Sequence, residues 1–324
     1  MQPMKRKENC SLNVKSLSIG RLSLKNNIFI APLAGYTDYS FRKMCYSLGA
    51  GLCFTEMVSA KGLFYNSENT ASLLHTTDSE YVKAVQLFGN DPDILLSAAT
   101  SGYLEKFDII DLNCGCPVPK VYNNGEGSAL LNAPETAEKI ISNLKKSGKV
   151  ITLKMREGIK VGEPKYLEFA KRMEGAGVDL ITFHARFREQ YYSGEPDYAA
   201  CAELKHAVKV PIIFNGGVFS KEDFDNAIDK TGADGVMLAR GVMQKPWLIS
   251  EILGEDVPNK KQLIRTQIND LLEKYDEIYV ARFFRKQFAF YLKNVKNSKR
   301  YKELIFSATT TKTYFDVLNE VEII

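Results

Sequence analysis

The sequence lacks the long apolar runs that mark membrane proteins and exported proteins. No apolar stretch in the 324 residues approaches the roughly 18 residues that a membrane-spanning helix needs. Lys5, Arg6 and Lys7 are followed by Glu8 and Asn9, where a signal peptide would have an apolar segment. We therefore expect no membrane association and a cytoplasmic location.

Cysteine is present but not in a pattern that predicts disulfides or a metal site. The six cysteines, at positions 10, 45, 53, 114, 116 and 201, do not form a disulfide framework in a chain this long. Cys114 and Cys116 make a single C-x-C, with no second pair and no histidine nearby, so no metal is expected. A disulfide between these two residues would be strained.

A G-x-G-x-x-G fingerprint after an early strand is also missing, which argues against a doubly wound dinucleotide-binding sheet. The chain has instead an ordinary globular composition, 45% hydrophobic and 25% charged, with a net charge of +4. This mildly basic balance permits a polyanionic partner without requiring one.

Strand-like runs alternate with helix-like segments that begin at Pro, Ser or Asp and end near Gly. Eight such alternations predict a parallel α/β fold, and a closed (β/α)8 TIM barrel fits their number and size best. An open doubly wound sheet is the alternative. The predicted strands are 28–31, 52–55, 83–87, 109–113, 150–155, 180–184, 210–215 and 235–238.

The pattern changes near residue 254, and the rest of the chain is predicted to be helical. We expect disorder over 1–10, a barrel over 11–254 that begins with a hairpin within 12–24, and a linker over 255–258. A small all-α domain then covers 259–324. Its predicted helices are 260–275, 279–295, 299–307 and 313–322.

The stretch 107–117 carries the most distinctive chemistry. It is apolar at first and becomes polar only at its end, as buried parallel strands do. Gly115 and Pro117 then end the strand, leaving Cys116 on a stiff turn at the barrel end where active sites lie. Cys116 could be a nucleophile with His184 as its base. It could instead be a general acid, since a thiol is mostly protonated at neutral pH.

Other strand ends carry candidate ligands for an anion. The run Asn215-Gly216-Gly217 and the pair Ala239-Arg240 follow strands seven and eight, where barrels commonly bind phosphate, and we favour phosphate over simple tight turns. Lys154 could form a Schiff base, neutralise an anionic ligand, or pair with Glu56 or Asp111.

From residue 282 to 302 the chain has basic residues uninterrupted by acidic ones, with aromatics interleaved. The alternative to RNA binding is a solvated helix face above an aromatic core, but the missing acidic residues favour a surface that contacts phosphates. The basic residues are Arg282, Arg285, Lys286, Lys293, Lys296, Lys299, Arg300 and Lys302.

Taken together, these elements resemble the tRNA-dihydrouridine synthases, and in particular their bacterial B type, through nearly all of 19–324. No single element would carry the resemblance, but their number and order do. They are Ala31 to Asp38 with Phe41-Arg42, Glu56-Met57, Gln86 to Gly89, Asp111 to Pro117, Gly127 to Leu131, Lys154-Met155-Arg156, His184-Ala185-Arg186, Asn215-Gly216-Gly217, Ala239-Arg240 and Lys245-Pro246-Trp247.

The resemblance implies a monomeric FMN enzyme that uses NADPH, or NADH, to reduce uridine in tRNA. Cys116 would protonate C5 of the uracil, Asn113 would lie beside the base, and Lys154 would face the flavin N1–O2 edge. Arg186, Arg282, Arg285, Lys286 and Lys293 would contact substrate RNA. The implied cofactor ligands are Pro32, Leu33, Ala34, Gln86, Lys154, His184, Asn215, Gly216, Gly217, Ala239 and Arg240.

The chain departs from the family pattern at several positions. The family usually has Met at Cys114, Asp at Gly217, Gly at Ala185 and Ala239, Thr at Phe187, and often His at Gln287. Alternative functions are a small-molecule flavin reductase similar to dihydroorotate dehydrogenases, reduction of ribosomal RNA, and an RNA-binding module without catalysis.

Overall fold

The computed structural model describes residues 10–323, in which eight parallel strands close into a barrel followed by a group of helices. An antiparallel hairpin, β1 (Leu17–Ile19) and β2 (Leu22–Leu24), precedes the barrel. The predicted (β/α)8 barrel is therefore confirmed. The predicted disorder falls outside the described residues except at Cys10. The barrel strands are β3 (Ile28–Ile30), β4 (Leu52–Ser59), β5 (Ala84–Phe88), β6 (Ile109–Cys114), β7 (Val150–Arg156), β8 (Leu180–His184), β9 (Ile212–Asn215) and β10 (Gly235–Leu238).

Eight of the eleven helices described around the barrel begin at a residue whose side chain caps the helix or at a proline. Asp38 accepts hydrogen bonds from the backbone N–H groups of Ser40 and Phe41, and Ser220 caps its helix in the same way. Five short helices, two after β4, one after β6 and two after β10, were not predicted, because four to six residues are too few to show a helical period. The helices are α1 (Tyr39–Ser47), α2 (Ala60–Phe64), α3 (Glu68–Ala71), α4 (Pro92–Thr100), α5 (Pro119–Asn123), α6 (Pro134–Lys145), α7 (Tyr166–Gly175), α8 (Tyr198–Ala207), α9 (Lys221–Thr231), α10 (Arg240–Gln244) and α11 (Leu248–Leu253).

The interior of the barrel is closed at its amino-terminal end by the hairpin. Ile19 and Leu24 of the hairpin belong to the same buried cluster as the first inward residues of the strands, among them Leu52, Ile109 and Val150. No helix within residues 10–323 is long and apolar enough to cross a membrane. The carboxyl end of the barrel is thus the end left open for a ligand.

The carboxyl-terminal helices are α12 (Lys260–Leu272), α13 (Glu277–Phe283), α14 (Arg285–Tyr291), α15 (Ser298–Ser307) and α16 (Lys312–Glu320). The single helix predicted over 279–295 is wrong: it is broken at Phe284 and ends at Tyr291. The buried rings of Phe284 and Phe288 pack edge-on against Tyr314 of α16. Asn294 and Asn297 then adopt left-handed backbone conformations, which end the helical stretch. Neither the break at Phe284 nor the left-handed asparagines can be recognised from the spacing of apolar residues in the sequence.

Hydrogen bonds and an ion pair connect these helices to the loop that follows β3 and to α1. The Gln287 side chain amide donates to the Tyr36 carbonyl at 2.5 Å and to the Asp38 carboxylate at 3.1 Å. Lys43 pairs with Asp270 at 2.6 Å. Because this loop lies at the carboxyl end of β3, α14 is held beside the open mouth of the barrel.

Candidate active site

Side chains along a β-strand point alternately into the barrel and toward the helices, and this alternation places the polar residues of the site on the inner face. In β6 the inward residues are Ile109, Asp111 and Asn113, and in β7 they include Val150, Thr152 and Lys154. Each strand therefore presents an apolar residue at the closed end and polar residues toward the open end. The outward residues between them pack against the helices.

The polar ends line a cavity of about 1000 Å³, including the part that opens to solvent. Cys116 and all the cofactor ligands implied by the resemblance line this cavity, together with Asn113 and Arg186. Four of the lining side chains are cationic and none of the described ones is a carboxylate. The cations are Lys154, Arg156, Arg186 and Arg240. The cavity is therefore suited to an anionic ligand.

Cys116 lies at the rim of the cavity with 8% of its surface exposed. Burial raises the pKa of its thiol, although a backbone hydrogen bond and the nearby charges of Arg156 and Lys154 oppose the shift. The thiol is thus protonated at neutral pH. Cys114 is fully buried on the other face of the strand, in the core between barrel and helices.

A chain of buried hydrogen bonds holds the turn that carries Cys116. Asp111 accepts from Thr152 Oγ1 at 2.6 Å and from Gln86 Nε2 at 2.7 Å. Gln86 Oε1 in turn accepts from Asn113 Nδ2 at 2.7 Å. Asn113 Oδ1 then accepts from the backbone N–H of Gly115 at 3.0 Å and of Cys116 at 2.9 Å. Since an ionised carboxylate can only accept, Asp111 fixes the orientation of both amides.

Lys154 has no ion pair or hydrogen bond among the described residues, so the ion pairs with Glu56 and Asp111 considered above are not formed. Burial, followed by repulsion from Arg156, lowers the pKa of Lys154 to about 7. An unpaired amine at the bottom of an anion-binding cavity is suited to a ligand that brings negative charge.

Replacing Lys154 by Met is expected to stabilise the ligand-free protein. The folded-state pKa of about 7 lies below the unfolded value of about 10.4, so the unfolded state binds more protons between these values and wild-type stability rises with pH. The gain in Tm for Lys154→Met should thus be largest below pH 7, at about 5–10 °C, and shrink toward pH 10. Thermal unfolding across this range measures it, with the exposed Lys171→Met as the control. A pH-independent difference would contradict the prediction.

His184 is neutral in this setting. Burial, reinforced by the positive charges of Arg156 and Lys154, lowers its pKa well below the usual range. Arg186 Nη1 lies 3.5 Å from His184 Nε2, and because arginine can only donate, the ring proton lies on Nδ1. No hydrogen bond among residues 10–323 joins His184 to Cys116, so the two do not form a nucleophile–base pair.

The part of the cavity after β9 and β10 combines glycine backbone with a free arginine. Gly216 and Gly217 have φ values of 146° and 64°, and a Cβ on Gly216 would lie 3.0 Å from Pro196. The Arg240 guanidinium makes no hydrogen bond or ion pair among the described residues and lies between the rings of Tyr192 and Phe219, with centroids at 5.0 and 5.6 Å.

Several lining residues were not among the predicted ligands. Arg156, a polar residue at the end of its strand, was given no ligand role, yet it joins two loops through the carbonyl of Gly115 after β6 and those of Phe187 and Tyr191 after β8. Tyr192 and Phe219 come from loops, where no strand period places a side chain. Their aromatic character within Gly-containing loops was the only signal available in the sequence.

Of the predicted RNA residues, Arg186 lines the cavity, whereas the others lie on α13 and α14 or, for Lys293, just after α14. Arg282, Lys286 and Lys293 are exposed and make no ion pair within the described part of the chain. Arg285 differs, because its Nη2 donates to the Ala308 carbonyl at 2.6 Å and so ties α14 to the segment before α16. Of the interleaved aromatics, Phe284, Phe288 and Tyr291 are buried core residues.

The family model for dihydrouridine synthase (Dus) matches residues 29–323, which include the barrel and the helices after it. The chain belongs to the dihydrouridine synthase family. It is 34% identical over 307 residues to tRNA-dihydrouridine synthase B of Pasteurella multocida, with 91% of this chain and 92% of that protein covered. A probable tRNA-dihydrouridine synthase of Rickettsia bellii is 36% identical over 269 residues, with 81% of this chain and 82% of that protein covered.

Solved structures share the fold of this family member at much lower identity. Histamine dehydrogenase from Rhizobium sp. 4-9 has a TM-score of 0.58 at 16% identity, covering 85% of this chain and 50% of that one. A variant of NCR from Zymomonas mobilis has a TM-score of 0.56 at 18% identity, covering 79% and 95%. These similarities concern the barrel architecture alone.

Proposed function

We propose that this chain reduces the C5–C6 double bond of specific uridines in tRNA to dihydrouridine, with FMN as its flavin and NADPH as the electron donor. The observation that carries the proposal is the cavity itself, which the described residues line with four basic side chains, no carboxylate and a protonated thiol at the rim. Family membership and the tRNA-dihydrouridine synthases among its relatives support it.

The residues present fit FMN. Pro32 to Ala34 offer an apolar wall and Gln86 an amide for the ring, while the unpaired Lys154 would offset negative charge on the flavin. Asn215 to Gly217 with Arg240 would hold the phosphate. Once reduced by NADPH, bound FMN would supply the hydride that C6 of the uracil receives.

Cys116 would donate the proton that C5 receives, and Asn113 would hold the base beside it. A general acid must be protonated and within reach of its substrate. The raised pKa of the Cys116 thiol meets the first condition, and its place on the rim supports the second. Among the described residues, His184 makes no hydrogen bond to Cys116, which argues against Cys116 acting as a nucleophile with His184 as its base.

We propose that residues 259–324 form an RNA-binding domain. A uridine must be turned out of its helix to present C5 and C6 to the barrel. The exposed, unpaired Arg282, Lys286 and Lys293 lie on or next to helices fastened beside the mouth, where they would contact RNA phosphates. Arg285 would act structurally through its bond to the Ala308 carbonyl.

The decisive experiment incubates the FMN-loaded protein with unmodified tRNA and NADPH and maps dihydrouridine at each position. We expect dihydrouridine at specific sites in tRNA. Turnover of free uracil compounds without RNA would favour the small-molecule reductase, and modification of ribosomal RNA alone would reassign the substrate. Tight tRNA binding without any reduction would favour the non-catalytic module.

Arg240→Ala should weaken FMN binding by about 10–100-fold, the loss expected when a charge-assisted hydrogen bond is removed. Riboflavin lacks the phosphate, so its affinity should change little. Fluorescence titration of the flavin-free protein measures both. Arg172→Ala, which removes an arginine paired with Glu135 and Glu138 on the outer helices, serves as the control. An equal loss for both flavins would contradict the phosphate assignment.

A further inference from the structure

Arg188 stands beside the catalytic thiol but outside the cavity. It begins a short 3-10 helix (Arg188–Gln190) in the loop after β8. Its guanidinium lies flat on Tyr122 of α5, with the guanidinium carbon 3.7 Å from the ring centroid. Arg188 lies close to the turn of Cys116, because the Arg156 guanidinium donates both to the carbonyl of Gly115, next to Cys116, and to that of Phe187, next to Arg188.

The guanidinium of Arg188 has no hydrogen-bond acceptor and no carboxylate within residues 10–323, and its Nε is buried without a partner. The other arginines near the mouth differ from it. Arg156 and Arg186 donate to loop carbonyls, and Arg240 is unpaired but lines the cavity. Among the described residues, Arg188 is thus a cation without a hydrogen-bond acceptor that lies next to the turn of Cys116 and does not line the cavity.

We propose that Arg188, held flat by Tyr122, binds a backbone phosphate of the RNA next to the uridine that is reduced. The inference rests on the proposed function, because a base that reaches Cys116 must bring its flanking phosphates past the rim. The planar guanidinium suits a phosphate through two parallel hydrogen bonds, and the stacked ring keeps the long side chain from swinging away.

The test measures the dissociation constant of unmodified tRNA from the FMN-loaded protein at several salt concentrations. Arg188→Ala should weaken binding about 5–20-fold at moderate salt, and the slope of log K against log salt should fall by about 0.7–0.9, the value for one lost phosphate contact. Arg188→Lys should keep the slope, because the ammonium still neutralises a phosphate. Tyr122→Leu should weaken binding, whereas Tyr122→Phe, which keeps the ring face, should not.

The controls separate this inference from the proposed function. Arg188→Ala should leave FMN affinity and the NADPH-dependent reduction of the flavin unchanged, and Arg172→Ala should leave tRNA binding unchanged. If Arg188→Ala lowers thermal stability or FMN affinity while the salt slope stays at the wild-type value, Arg188 is structural and the inference is overturned. If the wild-type protein binds no tRNA, the proposed function itself is wrong.

Discussion

Replacing Cys116 by alanine is expected to slow the reduction of uridine in tRNA by about 10²–10⁴-fold, the usual contribution of a positioned general acid. The substitution removes the thiol that lines the cavity next to Asn113, whose Oδ1 accepts from the backbone N–H of Cys116. The turn should survive, because the Cys116 backbone N–H still donates to Asn113 Oδ1 and its carbonyl still accepts from Ser128 Oγ, although the hydrogen bond between the sulfur and the backbone of Val118 is lost. Single-turnover oxidation of the reduced, FMN-loaded enzyme by unmodified tRNA measures the effect.

The neighbouring thiol offers a matched control. Cys114→Ala removes a sulfur two residues away that packs in the core and does not line the cavity. It should cost stability, about 1 kcal/mol or more for a small buried cavity, while the chemical step stays close to wild type. FMN affinity and the reduction of the flavin by NADPH should be unchanged in Cys116→Ala. A Cys116→Ala enzyme with an undiminished rate would remove the acid assignment.

The site was largely predictable because strand ends obey simple rules. Once the eight strands were identified, the carboxyl ends of five of them pointed to Gln86, Asn113, Lys154, His184 and Asn215, all of which line the cavity. The prediction required only the parallel direction of the strands and the convergence of their ends.

The features that the sequence did not predict depend on contacts between segments that lie far apart in the chain. Tyr192 and Phe219 reach the cavity because Arg156 and Gly217 shape the loops that carry them. Arg285 donates to a carbonyl 23 residues away in the chain. The sequence shows only the charge of Arg285, and that charge led to the prediction that it contacts RNA. The break at Phe284 follows from tertiary packing, which overrides a continuous helical period.

The hydrogen-bond chain that begins at Asp111 predicts a second large effect, at a residue that does not line the cavity. Asp111→Leu leaves Thr152 and the Gln86 amide without their acceptor. Gln86 is then free to turn over, and Asn113 loses the partner that directs its oxygen toward the N–H groups of the turn. A buried group left unpaired costs about 1–3 kcal/mol. If this cost falls on the transition state, the single-turnover rate drops by about 10–100-fold.

Asp111→Asn should be much milder, because its amide nitrogen can donate to Thr152 while its oxygen still accepts from Gln86. Only the charge is lost, so we expect a decrease of about 3–10-fold. Burial raises the pKa of Asp111 to about 6, although the hydrogen bonds from Thr152 and Gln86 oppose this shift. Wild type should therefore lose the same factor as pH falls through 6, and this limb of the pH profile should be missing in Asp111→Asn.

Thr152→Val completes the comparison, since it removes one hydrogen bond from Asp111 but leaves Gln86 correctly oriented. Its rate should stay within about threefold of wild type, in keeping with the net value of one neutral donor. A purely structural role for Asp111 would lower Tm in all three variants and leave the pH profile unchanged. An Asp111→Leu enzyme with the wild-type rate would show that the turn carrying Cys116 keeps its conformation without the hydrogen bonds that begin at Asp111.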